Sequence, residues 1–225
     1  GNLVTSIDWD YKFASNHETS LKVYYSMYDS LFGLYDDYYY EHYDYVEETL
    51  TSTGNKSRTS GLGLKADFGY RPAENHHIRY GTALKCRFYN PVSFAIENEK
   101  INGKLIYDKD NRQSSPRKSF ESDLYIEDEM TLTDWFTANV GLRYSAIATD
   151  GKWYHSVEPR AALRFQCGDY TDLKLSYSEM SQNSHLISST YLQLPTSFWM
   201  PSTSKIAPSR SRQVAGGVYV NLPHN

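Results

Sequence analysis

Cysteine is nearly absent. Cys86 and Cys167 are the only two in 225 residues. One falls in an expected strand and one in a short turn, so a disulfide scaffold is excluded and both are expected as free thiols. Long apolar runs are missing too. No stretch of about 18 mostly apolar residues occurs, which excludes a transmembrane helix. The longest uncharged stretch, Leu186 to Ser204, is broken by Pro195 and Pro201. Basic charge is not in excess: 23 Lys and Arg stand against 27 Asp and Glu, for a net charge of -4. With no basic stripe, nucleic acid is not expected as a partner. The first residues do not resemble a secretory signal. Gly1 reads as a residue left by tag removal, and in a piece of a larger protein a missing signal says little.

What the chain has is aromatic and alternating. Aromatic residues make up 15% of it, and Tyr alone accounts for 21. Tyr suits strands, and its apolar ring with a polar tip suits membrane interfaces. Ile7, Trp9, Tyr11 and Phe13 take every second position, with Asp8, Asp10 and Lys12 between them. Leu21, Val23, Tyr25 and Met27 repeat the pattern. This is the period of a strand with one apolar and one polar face. Nine such segments are expected: Val4–Ser15, Thr19–Tyr28, Ser60–Tyr70, His77–Asn90, Ser119–Thr131, Trp135–Ala148, His155–Gln166, Asp172–Ser181 and Ser211–Asn221.

The links alternate in length. Ser15–Glu18, Arg71–His76, Leu132–Asp134 and Cys167–Thr171 are short, and Leu222–Asn225 ends the chain on the same side. Asp29–Thr59, Pro91–Lys118, Thr149–Tyr154 and Glu179–Arg210 are longer, the third only modestly. Tight turns on one side and long loops on the other are how a membrane β-barrel is built. A soluble antiparallel sheet with one wet face would alternate in the same way; the link lengths favour the barrel. Average polarity is no objection, because half of each barrel strand faces a wet lumen. The lipid-side row is expected to hold Leu62, Leu64, Phe68, Val140, Leu142, Leu173 and Leu175, with Lys65, Arg143 and Lys174 opposite.

Several stretches then carry a resemblance. Tyr125-Ile126-Glu127-Asp128-Glu129-Met130, Leu132-Thr133-Asp134-Trp135 and Asn139-Val140-Gly141-Leu142-Arg143-Tyr144 make a strand, a short turn and a "GLRY" strand. Glu158-Pro159-Arg160, Leu173 to Ser178, Leu194 to Ser202, Pro208 to Gln213 and Ala215-Gly216-Gly217 follow in order. In this order and spacing the chain resembles the β-barrel of TonB-dependent outer-membrane receptors of the Bacteroidetes type. Residues 1–118 fit by strand pattern alone. The family's barrel has about 22 strands around a plug. No segment here resembles that plug or the motif that contacts TonB. Residues 1–225 are therefore expected to be an internal part of the barrel, an all-β antiparallel meander of about nine strands.

The resemblance implies an outer-membrane protein that binds a scarce nutrient and imports it in a TonB-dependent way, with no enzymatic activity and no cofactor. The implied partners are outer-membrane lipid, the TonB complex through parts of the protein not present here, and a small-molecule, glycan or peptide ligand. The alternative is a soluble all-β carbohydrate-binding or adhesion module. An excised open sheet is expected to self-associate through its edges.

Two loops offer the makings of a ligand surface. Asp29–Thr59 interleaves tyrosines with carboxylates, and Tyr35, Tyr39 and Tyr43 are its candidate contacts. Aromatic faces beside carboxylates can stack on sugars or attract cationic ligands. The bland reading is a strand extension whose tyrosines pack on one another. Glu179–Arg210 adds Tyr191, Phe198 and Trp199. Glu127, Glu129, Arg143, Glu158 and Arg160 are expected on the lumen side with structural roles. His76-His77 beside Glu74 has ligand-type residues but no third partner at a fixed spacing, so no metal site is expected.

Overall fold

The computed structural model describes residues 1–187 and 198–221. These residues form twelve strands: β1 (Asn2–Ala14), β2 (His17–Glu41), β3 (Val46–Ala73), β4 (His76–Ile101), β5 (Lys104–Ser114), β6 (Arg117–Thr133), β7 (Phe136–Thr149), β8 (Lys152–Gln166), β9 (Thr171–Gln182), β10 (Ser184–Ile187), β11 (Phe198–Pro201) and β12 (Ser209–Val220). The nine segments expected from alternation form one antiparallel path, β1-β2-β3-β4-β6-β7-β8-β9-β12. β5 pairs with the far half of β4, and β10 with β11 makes a separate ribbon. The large sheet is open, with β1 and β12 at its edges.

Register carries the two faces across the sheet, and it shifts only beside turns, at Lys12/Ala14, Tyr70/Ala73, Glu99/Lys100 and Thr131/Thr133. Trp9 pairs with Leu21, Leu21 with Ala66, Ala66 with Thr82, Thr82 with Leu124, Leu124 with Tyr144 and Tyr144 with Val157. One residue along, Asp67, Gly81, Tyr125, Arg143 and Glu158 form a polar rung. Directly opposed residues share a face, so each rung is a single chemical stripe. The seven apolar residues expected together, Leu62 to Leu175, share one face, and Lys65, Arg143 and Lys174 share the other.

The expected loops are largely strand. β2 and β3 pair without a break from His17–Tyr70 to Glu41–Val46, which makes Asp29–Thr59 a hairpin with its turn at residues 42–45. β4 likewise runs through Pro91 to Ile101 and returns as β5. Alternation is invisible there because the ribbon is wet on both faces and has nothing to bury. Local turn chemistry does mark two bends at this end of the sheet, one in the ribbon and one between β7 and β8. Asn102-Gly103 and Asp150-Gly151 both have positive φ at both positions (50 and 76, 49 and 74), the signature of type I′ hairpin turns. The asymmetry of the two ends survives in part. Turns at Ser15-Asn16, Glu74-Asn75, Asp134-Trp135 and 167–170 close one end tightly. The link expected at Thr149–Tyr154 on the other end is an equally tight two-residue turn, because β7 and β8 stay paired up to Thr149–Lys152. At the other end, β2 to β5 rise together as a four-stranded blade.

Aromatic rings gather near the tight-turn end. Phe136 stacks on Phe165 with centroids 4.7 Å apart, Phe68 on Tyr80 at 5.2 Å, and Trp9, Tyr11 and Phe13 run in contact. On the polar face, small residues let large ones lie flat. A Cβ on Gly81 would sit 2.4 Å from the Ala66 carbonyl oxygen and 2.8 Å from the Tyr125 ring. The backbone oxygen cannot step aside, so Gly81→Val is expected to lose at least the roughly 1–3 kcal/mol typical of overpacking. Urea unfolding of the full-length protein in lipid vesicles checks this; an unshifted midpoint would show that the β3–β4 pair yields freely.

Pro159 sits mid-strand in β8, opposite Leu142. Its missing N–H falls where pairing with β9 stops, since that ladder begins at Arg160–Ser178. The neighbouring side chain takes over. The Glu158 carboxylate accepts the Ser181 backbone N–H at 3.1 Å and the Ser181 hydroxyl at 2.7 Å. A proline is tolerated in a sheet at such a break.

Candidate ligand-binding cavity and lumen wall

The polar face is held by ion pairs around one carboxylate. Asp123 is 3% exposed. It accepts from Arg143 at 2.6 Å, from the Ser145 hydroxyl at 2.5 Å and from Lys85 at 3.3 Å. Glu121 stands 3.8 Å from Lys85 and 4.0 Å from Arg87, and Glu158 stands 3.9 Å from Arg143. Alternation places all of these side chains on the same side of β4, β6, β7 and β8. Three cations therefore meet three carboxylates.

The segment after β9 folds back over this wall. Asn183 donates to Glu121 at 3.0 Å. Ser184 Oγ receives Arg87 at 2.9 Å and shares a hydrogen bond of 2.7 Å with the hydroxyl of Tyr89, which is 1% exposed. Ser202 is fully buried; its N–H donates to the Asn183 carbonyl, and its own carbonyl accepts the Thr149 hydroxyl at 2.6 Å. Tyr154 donates to the Thr203 carbonyl. Beyond it, the Ser204 N–H and hydroxyl both donate to Asp150. These bonds, with Arg117 at 2.9 Å, hold the Asp150 carboxyl below the usual carboxylate range. β10 and β11 thus form a strap tied to β4, β6 and β7. Between strap and wall lies a cavity of about 620 Å³, lined among others by Tyr24, Lys85, Glu121, Asp123, Arg143 and Trp199. Side chains of β2 and of β11 line it together, so the polar side of the sheet is the concave one.

The residues singled out from sequence fall in three places. Tyr35 and Tyr39 lie on the blade and Tyr43 at its tip, all exposed. Tyr35 and Tyr39 share the parity of Leu21 and Val23, whereas Tyr38 and Tyr40 continue the polar, concave side. Phe198 and Trp199 are on β11 of the strap; Tyr191 lies outside the described residues. Glu127 sits 2.9 Å from Arg79 and 3.5 Å from Arg160, and Glu129 reaches Arg79 only at 4.0 Å. Arg143 and Glu158 belong to the Asp123 network. His76 and His77 point to opposite faces, His76 to Asp128 at 2.8 Å and His77 to Glu18 at 3.3 Å. Cys86 and Cys167 are free. Alternation puts Tyr24 and Lys85 on the polar face, but the cavity that they line, and the part of Asn183 in it, were not anticipated. The partners of Lys85 and Asn183, Asp123 and Glu121, are remote in sequence, and no local signal announces those contacts.

Burial is inverted relative to a soluble sheet. Leu62 is 55% exposed and Leu142 47%, while the acids opposite are covered. A model of the family described as "TonB dependent receptor-like, beta-barrel" matches residues 1–222. The chain belongs to that family. Its fold is an antiparallel meander of the TonB-dependent receptor barrel, not closed within this chain, and its place is the outer membrane. The exposed apolar row is then the lipid side of the receptor wall, and the aromatic cluster near the tight turns matches an interfacial girdle.

Solved structures similar to this receptor segment include the ferric citrate transporter FecA in its unliganded form, at 13% identity over 97% of this chain and 32% of that one, TM-score 0.48. The alcaligin outer-membrane receptor FauA from Bordetella pertussis is 12% identical over 96% and 46%, TM-score 0.33. The siderophore receptor PiuA from Acinetobacter baumannii is 8% identical over 96% and 52%, TM-score 0.36. The segment thus spans about a third to a half of those chains. No curated protein matches it.

Proposed function

We propose that the intact protein binds a scarce nutrient at the outer surface and imports it in a TonB-dependent way, and that residues 1–225 supply part of its barrel wall. The observation that carries this reading is the inverted burial: a row of exposed Leu, Val and Tyr backed by a covered ionic network, in a chain of the receptor family. Outer-membrane lipid covers the first and the lumen contents meet the second. The plug and the TonB contact belong to other parts of the protein.

Ligand contacts are assigned to the blade, through Tyr35, Tyr39 and Tyr43, and to the strap side, through Tyr191, Phe198 and Trp199. The blade hairpin Asp29–Thr59 carries seven acids against two bases, which favours a cationic or chelated ligand at first encounter. Tyr38 and Tyr40 join this surface on the lumen side. Replacing residues 35–52 with Asn-Gly closes the hairpin on the Leu34–Thr53 pair. Cells carrying that full-length variant are expected to show normal surface display and at least a tenfold slower uptake of the nutrient. Undiminished uptake at normal display would remove the blade as the binding site.

A further inference from the structure

We propose that the outward face carries a site for the phosphates of an anionic glycolipid of the outer leaflet, built from Lys56 and Arg58 on β3, Asn90 on β4 and Lys118 on β6. The proposal rests on the chain's place in the outer membrane and is independent of what the receptor imports. Its ground is where charge begins on that face. By register, every second residue faces lipid from Thr19 to Met27 on β2, Ser60 to Tyr70 on β3, Ile78 to Phe88 on β4, Phe120 to Ile126 on β6 and Phe136 to Ala148 on β7. None of these is Asp, Glu, Lys or Arg. Toward the blade end the same face turns charged at one level. Asp29 opposes Arg58, Arg58 opposes Asn90, and Glu179 opposes Arg212 farther round. Lys118 stands two residues beyond Phe120, whose rung runs through Ala148 to Trp153. Such a row marks the level of the lipid headgroups.

The charges in that row do not cancel. Asp29 is taken by Arg58 at 2.6 and 3.0 Å, and Glu179 by Arg212 at 3.1 Å. Asp150, one residue past the Ser119–Thr149 pair, is held by Arg117 and Ser204. Lys56 and Lys118 are exposed, and neither has an acid partner among the described residues. Arg58 keeps its Nη1 free, because Asp29 engages only Nε and Nη2. Asn90 is exposed between them; its Oδ1 accepts the Ser114 hydroxyl at 3.0 Å, which leaves the amide N–H groups to donate outward. Every free group here is a donor. At a phosphate such donors gain charge-assisted hydrogen bonds. Arg58 and Lys118 flank β4 two residues out of step, roughly 12 Å apart at Cα from the usual strand spacing and rise. Two long side chains close that gap around one phosphate. Below them Leu84 and Phe88, 37% and 54% exposed, continue the face as a seat for acyl chains. A soluble anion has no use for that strip, which decides for a lipid. Lys56 lies two residues beyond Arg58, so the donors spread along β3 instead of converging on one point. A sugar headgroup with more than one phosphate spans them; a single phosphodiester does not.

The test is native mass spectrometry of the full-length receptor in a non-ionic detergent. The probes are diphosphoryl lipid A, monophosphoryl lipid A and phosphatidylglycerol, with inorganic phosphate as competitor. Diphosphoryl lipid A is expected to bind at least fivefold more tightly than either other lipid. Its affinity is expected to fall at least fivefold in the double variant Lys56→Gln with Lys118→Gln, and to be unchanged in Lys174→Gln, which removes a cation from the lumen face. Both changes lie on the surface, and unchanged heat-modifiable mobility on gels certifies the fold. Binding that ignores the double variant overturns the site. An equal loss in Lys174→Gln overturns it too, because net charge then explains the effect. Phosphatidylglycerol binding as tightly as diphosphoryl lipid A overturns the glycolipid, and full displacement by millimolar inorganic phosphate overturns the lipid source. Uptake is not read in this experiment, so the import reading stands or falls separately.

Discussion

Replacing Asp123 with Ala is expected to lower the unfolding free energy of the full-length receptor by about 3–5 kcal/mol, the cost of breaking a covered ion pair from one side. The carboxylate is the shared partner of Lys85, Arg143 and Ser145, at 3.3, 2.6 and 2.5 Å. Without it, two cations face each other across the β4–β6–β7 wall. Each keeps only a distant acid, Glu121 at 3.8 Å for Lys85 and Glu158 at 3.9 Å for Arg143. The double variant Asp123→Ala with Arg143→Met is expected to recover part of the loss, because the coupling between the two is removed with both charges. Urea unfolding in lipid vesicles gives the four corners of the cycle. Strictly additive losses would mean that the pair is not coupled and that the network is decorative.

Leu142→Arg is the matching change on the other face, and it is expected to cost about 2–4 kcal/mol, the penalty of a charge at mid-bilayer on the lipid side of a barrel. Leu142 lies near the middle of β7, on a rung with Ile126 and Pro159. The girdle ring of Phe136 lies six positions below it, and Trp153 opposite Ala148 lies six above. The neighbouring position already carries Arg143, which points into the ionic network. One step along the chain therefore separates a tolerated arginine from a disruptive one. The same measurement in vesicles reads the effect, and a loss below about 1 kcal/mol would place Leu142 at the interface instead.

The wall was legible because a barrel strand repeats a simple rule over ten or more residues. Leu62, Leu64 and Phe68 announce a face by spacing alone, and pairing then propagates it. The blade was not legible for the complementary reason. Asp36-Asp37 and Tyr38-Tyr39-Tyr40 have no face to bury, so they carry no period, and only cross-strand hydrogen bonding makes them strand. Asn102-Gly103 carries a hairpin-turn signature that the reading of Pro91–Lys118 as one long link passed over, and it marks where β4 turns back. The strap was hidden by distance: Asn183 meets Glu121 across 62 positions and Arg87 meets Ser184 across 97. Trp199 stood out as an aromatic in a long link, but its cavity is made by strands far from it in sequence.

The blade's continuity with the wall has a mechanical consequence. β2 runs thirteen residues past Tyr28 to Glu41, a reach of roughly 40 Å at about 3.3 Å per residue if fully extended. Its rungs continue those of the membrane-spanning part without a register break between β2 and β3. A floppy loop would absorb a push at its tip by bending locally. A ribbon stiffened by three ladders behaves as a lever, and its fulcrum is the wall that carries Lys85 and Arg87 on β4. Torque applied at Tyr43 is thus delivered to the same strand that anchors the strap.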